Sequence, residues 1–249
     1  MRLTPHCYAV TGLGYSSPWC VNAGFIAGEE DTLVIDAGGN ALAAQTLHGY
    51  ATAVRPNNRL ILLNTEKHFD HIGGNSVFHD LGVEIWAHPD CFRTETEFRA
   101  EIAEMNAGIA NPVRRAEGEA SAFFAGTRLI SATREAGEGT VFHLGGVRVQ
   151  ILATPGHTAT NLSVWVAVER VLYTGDTIVT GYLPNLDAGG VDDWMLWLES
   201  LNRIDALNPE VIVPGHGQIV RGPEITEALT RTRQILKDAI VEGRSPTAS

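Results

Sequence analysis

Asn64-Thr65-Glu66-Lys67-His68-Phe69-Asp70-His71-Ile72-Gly73-Gly74-Asn75 follows an apolar run at 60–63 and leads into a stretch, 75–81, that reads as a short helix. Four side chains able to bind metal or carry protons, Glu66, His68, Asp70 and His71, fall within six residues of it. Side chains two apart on a helix point to different sides and do not meet. On an extended segment that curls into a loop they share a face. The stretch is therefore read as the end of a buried strand whose loop gathers coordinating groups.

Three further groups stand in similar punctuation. His157 lies in Thr154-Pro155-Gly156-His157-Thr158, Asp176 in Thr174-Gly175-Asp176-Thr177, and His216 in Pro214-Gly215-His216-Gly217. Each follows an apolar run and adjoins glycine, which permits tight turns and close backbone approach. One histidine or aspartate at a strand end is ordinarily a turn former or a cap. Seven coordinating groups in this order are read together, as one site. His6, His48, His79, His88 and His143 have no such setting and read as surface or packing residues.

Outward from these segments the chain alternates short apolar runs with amphipathic stretches. Residues 21–26 and 32–36 flank a charged turn and read as a hairpin, followed by a helix over 40–54. Strands are predicted at 60–63 and 83–87. Gly145-Gly146 between 140–144 and 147–152 is a strong hairpin signal. Strands at 161–168, 171–174 and 211–213 and helices at 192–207 and 223–242 complete the pattern. The hairpin from Val21-Asn22 to Asp36 is echoed by one from Asn161-Leu162 to Asp176, which suggests two strand-rich halves, each covered by helices.

At this point the chain resembles the metallo-β-lactamase superfamily. The stretch 66–71 is similar to its His-x-His-x-Asp-His signature, and His157, Asp176 and His216 match its remaining ligands. The resemblance runs from Val21-Asn22 to Gly217 and is nearest the glyoxalase II and lactonase-like branch. It implies an α/β fold, a four-layer αββα sandwich with a dinuclear metal site at one edge. Glu66, His68 and His157 would hold the first metal and Asp70, His71 and His216 the second, with Asp176 bridging. The implied cofactors are two divalent ions, Zn2+ first, with iron or manganese as the alternatives.

The departure is Glu66, where the family usually has a histidine. Zinc accepts carboxylate oxygen, so ligation is retained. Two divalent ions facing Glu66, Asp70, Asp176 and a hydroxide sum to about zero charge, which weakens polarisation and shifts preference toward harder metals. Alternatively Glu66 turns away and only the second site fills tightly.

The activity the resemblance implies is hydrolysis by a metal-bridging hydroxide, with Asp70 orienting the nucleophile and passing a proton to the leaving group. Small esters, thioesters and lactones are the expected substrates. A mononuclear iron sulfur dioxygenase-like enzyme and a β-lactam hydrolase are the alternatives, although Asp176 argues against a dedicated β-lactamase. Tyr182, six residues after Asp176, is a candidate substrate contact beside a plain packing role.

Composition narrows the partners. The chain has 249 residues, 44% hydrophobic, with a formal net charge of −11. That charge opposes nucleic acid and anionic membrane, and Arg114-Arg115, the only adjacent basic pair, is flanked by Glu117 and Glu119. Cys7, Cys20 and Cys91 have no close spacing and read as reduced thiols. Residues 1–10 lack a signal-peptide pattern and no apolar run approaches a bilayer span, so a cytoplasmic protein is expected. A single domain over 1–249 is expected, with a helical insertion at about 89–137. The insertion is predicted as helices at 92–107 and 114–124, and it is expected to wall the substrate rather than serve the metals.

Overall fold

A computed structural model describes residues 1–13, 20–108, 124 and 126–246. Two six-stranded mixed sheets face each other. The first runs β1 (Cys7–Leu13), β2 (Val21–Ala27), β3 (Asp31–Ile35), β4 (Arg59–Leu63), β5 (Glu84–Ala87) and β6 (Arg134–Glu135), in that spatial order. The second comprises β7 (Val141–His143), β8 (Arg148–Ala153), β9 (Leu162–Val166), β10 (Val171–Tyr173), β11 (Val211–Val213) and β12 (Val220–Arg221), again in sequential order.

The layers follow from two-residue periodicity in strands covered on both faces. Leu33, Ile35, Ile61 and Leu63 of the first sheet meet Ile151, Val164, Val166, Val171 and Val213 of the second in the inner core. Their neighbours Val34 and Leu62 turn outward under two helices, α1 (Ala41–Val54) and, after the short α2 (Phe69–Ile72), α3 (Asn75–Asp80). On the far side Trp165, Leu172 and Ile212 are covered by two further helices (191–206 and 223–242) through Trp197, Leu201, Leu229 and Leu236. The αββα order expected from the sequence is the order observed.

The remaining helices in chain order are α4 (Glu95–Gly108), α5 (Val191–Ala206) and α6 (Pro223–Glu242). Their ends obey local rules. Asn40 Oδ1 accepts the Ala43 N–H to cap α1, Asp193 Oδ2 accepts the Gly190 N–H ahead of α5, and α6 carries proline in its first turn.

Three strands depart from the reading above. β1, β6 and β12 were not expected, and each lies at a sheet edge, where one neighbour suffices and a long apolar run is not required. β6 has both residues exposed, so it carries no hydrophobic signal at all. The end of the stretch expected as an insertion thus belongs to the sandwich: Ala136 is in the inner core, and Ile130 and Ala132 pack beneath α1 and α3. The first inserted helix is α4; the second, at 114–124, lies outside the described residues except Phe124. Among the described residues no helix is long and apolar enough to cross a membrane.

Topology assembles the site. β3 and β4 are parallel, and so are β10 and β11. β8 and β10 both pair antiparallel with β9, so they run the same way. The loops leaving the C-terminal ends of these strands meet at one edge of the sandwich.

Candidate metal centre

All seven residues singled out in the sequence come together at that edge. Glu66 and His71 are fully buried, His157, Asp70, His216 and Asp176 nearly so, and His68 is partly open. Their coordinating atoms fall into three overlapping groups, Glu66–His68–His157, Asp70–His71–His216 and Glu66–His71–Asp176, each spanning less than 4.8 Å.

The distances resolve this further. His68 Nδ1 is 2.8 Å from Glu66 Oε1 and 3.0 Å from His157 Nε2, and His157 Nε2 is 3.6 Å from Glu66 Oε1. In the second group Asp70 Oδ2 lies 3.0 Å from His216 Nε2 and 3.9 Å from His71 Nε2. Asp176 stands between them, with Oδ1 at 3.3 Å from His71 Nε2 and Oδ2 at 3.4 Å from His216 and 3.6 Å from His157. Ligand bonds of about 2.0 Å at tetrahedral angles separate donor atoms by about 3.3 Å.

A second observation tests the fit. Glu66 Oε2, His71 Nε2 and Asp176 Oδ1 are buried and have no hydrogen-bond partner among the described residues. Leaving buried polar atoms unsatisfied is costly, and unpaired groups at one spot ask for an ion or another polar guest. Imidazole nitrogen and carboxylate oxygen are the donor set that zinc and harder divalent ions accept. The residues present fit divalent metal.

The supporting contacts aim these atoms. His71 Nδ1 donates to Asp36 Oδ2 at 2.9 Å, which turns its Nε2 inward. His157 Nδ1 donates to the Asn185 carbonyl at 3.0 Å, with the same result. Asp36 also receives the Thr65 N–H at 2.7 Å and the Thr65 hydroxyl at 2.8 Å. The Asp176 turn is braced from α5, where Trp197 Nε1 donates to the Thr177 carbonyl at 2.8 Å. Glycine is needed at 215 because a Cβ there would lie 1.9 Å from Asp176 Oδ1.

Charges in the site hold one another. Burial alone would raise the Glu66 carboxyl, but His68, His157 and His71 outweigh it and keep it well below the usual range. Asp176 is likewise held far down by His216 and His71 against its burial. Burial would lower His71, yet Asp36, Asp70, Asp176 and Glu66 push it well up. Asp36 is raised, since burial there exceeds the help from His71 and Thr65.

Above the donors is a cavity of about 380 Å³. Phe69, Met105, Val179 and Leu183 form its apolar wall, and Tyr182 lines it as well. Glu101, Glu104 and Asp187 add acid, and its described lining contains no lysine or arginine. Asp36, Arg93, Glu101 and Trp197 were not picked out from the sequence. Asp36 had the detectable signal, an acid at a strand end followed by Gly38-Gly39.

Comparison with known proteins agrees with this geometry. A hydroxyacylglutathione hydrolase of Rhodospirillum rubrum is 29% identical over 194 residues, 75% of this chain and 61% of that protein. An acyl-coenzyme A thioesterase of Gallus gallus is 25% identical over 215 residues, 81% of this chain and 74% of that protein. A beta-lactamase-like protein 2 homolog of Caenorhabditis elegans is 34% identical over 100 residues, 37% of this chain but only 32% of its own length. In fold, a metallo-beta-lactamase from Pontibacter korlensis superposes with a TM-score of 0.69 at 17% identity, covering 96% of this chain and 98% of that one. The family model of the metallo-beta-lactamase superfamily matches residues 18–216, a span that includes every one of the seven converging side chains. With its sandwich, its strand-end loops and that match in agreement, the chain belongs to the metallo-β-lactamase superfamily.

Proposed function

We propose that this protein is a metal-dependent hydrolase of small, uncharged esters, thioesters or lactones. The observation that carries the reading is the convergence of seven donors, three of whose buried ligand atoms lack a hydrogen bond. Glu66, His68 and His157 would hold one divalent ion, Asp70, His71 and His216 another, with Asp176 shared. Zinc is the first expectation, and the oxygen-rich set brings iron and manganese into range. Such ions, when bound, supply a nucleophilic water near neutral pH and polarise the carbonyl under attack.

The protein's own groups do the rest. Asp70, at the cavity floor, holds the attacking water by accepting its hydrogen and passes the proton on to the leaving group. Its Oδ2 lies 3.0 Å from His216 Nε2, a spacing that lets both atoms face the same ion. Phe69, Met105 and Val179 exclude water around the scissile bond, and Tyr182 lines the same cavity.

The names of the relatives bring thioester chemistry to the proposal. Their glutathione and coenzyme A leaving groups are anionic, and here Glu101 (ion-paired to Arg93), Glu104 and Asp187 line the cavity, whose described lining holds no lysine or arginine. That wall disfavours an anionic substrate.

The test combines elemental analysis with a substrate panel of esters, lactones, β-lactams and thioesters. The purified protein is expected to carry close to two divalent ions and to prefer uncharged esters or lactones over acyl-coenzyme A. Asp176→Ala is expected to lower metal content and turnover together, and Glu66→Ala to weaken one of two metal affinities. Full metal content and full turnover in Asp176→Ala would refute the assignment. One iron per chain, with oxygen uptake on a persulfide, would establish the dioxygenase reading instead.

A further inference from the structure

The site's least enclosed proposed ligand is His68, whose side chain is 20% exposed against 0% for Glu66 and 2% for His157. It ends the bend that follows β4 and precedes α2 as its N-cap, without a side-chain capping bond of its own. Something else must fix its backbone if its Nδ1 is to stay 2.8 Å from Glu66 and 3.0 Å from His157.

Two residues from outside the loop do so. Glu101, on α4, accepts the Phe69 N–H through Oε2 at 3.0 Å. Arg93, just before α4, donates from Nε to the Lys67 carbonyl at 3.1 Å. The Arg93 guanidinium and the Glu101 carboxylate also form an ion pair with each other. Lys67 C=O and Phe69 N–H belong to the two peptide groups on either side of His68. The pair therefore closes a ring around that residue, gripping one peptide by its oxygen and the next by its nitrogen.

Packing keeps the ring closed. Phe69 stands edge-on to Phe98 of α4 at 5.0 Å between centroids, and with Ile72 and Met105 they form a small core separate from the three that build the sandwich. Arg93 and Glu101 are 12% and 24% exposed, so their ion pair is shielded well enough to be worth more than a surface pair. A guanidinium serves both partners from one rigid planar fork, a fixed geometry that a flexible ammonium does not impose.

We infer that Arg93 and Glu101 act as a clip that positions His68 for metal binding, so that α4 serves the metal centre as well as the substrate wall. The inference rests on the proposed metal site. It departs from the expectation, drawn from composition, that the 89–137 stretch leaves the metals alone.

The experiment is a Zn2+ titration of the stripped full-length protein against a chromophoric chelator, with the Co2+ absorption spectrum as a second readout. In Glu101→Ala and in Arg93→Ala, one of the two Zn2+ affinities should fall roughly tenfold or more while the other holds. The Co2+ d–d bands of that site should change with it. Glu101→Gln keeps an oxygen for the Phe69 N–H and should recover part of the affinity. The double variant should be little worse than the poorer single, because the two residues act as one clip. Arg99→Ala, on the exposed face of α4, should match the parent. If Arg93→Ala and Glu101→Gln fold and bind Zn2+ with the parent's two affinities and Co2+ spectrum, the clip is refuted. A parent that binds no Zn2+ would refute the metal site itself, a separate outcome.

Discussion

Asp36 adopts a φ of 60°, a left-handed conformation that aspartate tolerates better than most residues. From there both carboxylate oxygens reach into the protein: one receives the Thr65 N–H, the other the Thr65 hydroxyl and His71 Nδ1–H. It thereby ties the ligand loop to β3 and sets the tautomer of His71. Asp36→Asn would place an amide N–H against donors on one side, turning an attraction into a clash. The expected outcome is a folded protein whose metal affinity falls about 10- to 100-fold, the usual cost of disturbing a carboxylate behind a ligating histidine. Competition with a chromophoric chelator measures it; unchanged affinity would mean His71 needs no such partner. Glu66 is the complementary case. Its side chain points inward, fully buried, with Oε2 unpartnered, so the alternative in which it turns away from the site has no support in the geometry.

Among the elements, α5 does for the second sheet's loops what α4 does for the first's. Its apolar face, Trp194, Trp197, Leu201 and Ile204, repeats every three or four residues and seats the helix on β8–β11. That seating brings three polar groups onto loop carbonyls: Trp194 Nε1 to Leu186, Trp197 Nε1 to Thr177, and Ser200 Oγ to Pro155. The Thr177 contact adjoins Asp176 and the Pro155 contact adjoins His157 by one glycine. Trp197→Phe keeps an aromatic ring but leaves the buried Thr177 carbonyl without its donor. A loss of about 1–3 kcal/mol is expected from the unpaired carbonyl, read by denaturant unfolding. A variant as stable as the parent would show that packing alone holds this turn.

At the scale of the molecule, a formal net charge of −11 and an acidic cavity wall act in the same direction. The field should draw cations toward the cavity and repel anions, and salt should screen both effects, since the Debye length is about 10 Å at 0.1 M. Matched esters that differ only in a remote trimethylammonium, neutral or carboxylate group would show it in kcat/KM. From about 10 mM to about 0.5 M salt the cationic ester should slow by roughly threefold, the anionic one should speed up, and the neutral one should stay level. Parallel responses of all three would remove electrostatics from the account of substrate choice.

The local chemistry was legible without coordinates. Runs such as 60–63 and 171–174 are apolar because both faces of each strand are covered, and the ligands stand out because glycine and proline mark the turns that carry them. Glu66, His68, Asp70, His71, His157, Asp176 and His216 were picked out in this way as candidate ligands, and the four-layer order was read in the same way. The rest depends on contacts between residues far apart in sequence. Edge strands β6 and β12 are two residues long and leave no periodic trace. Asp36 acquires its partners across 29 and 35 positions, and Glu101 reaches Phe69 across 32. Period and punctuation report what a residue does to its own strand or turn. Only the pairing and direction of the strands decide which loops share an edge, and only helix packing decides which side chains reach behind them.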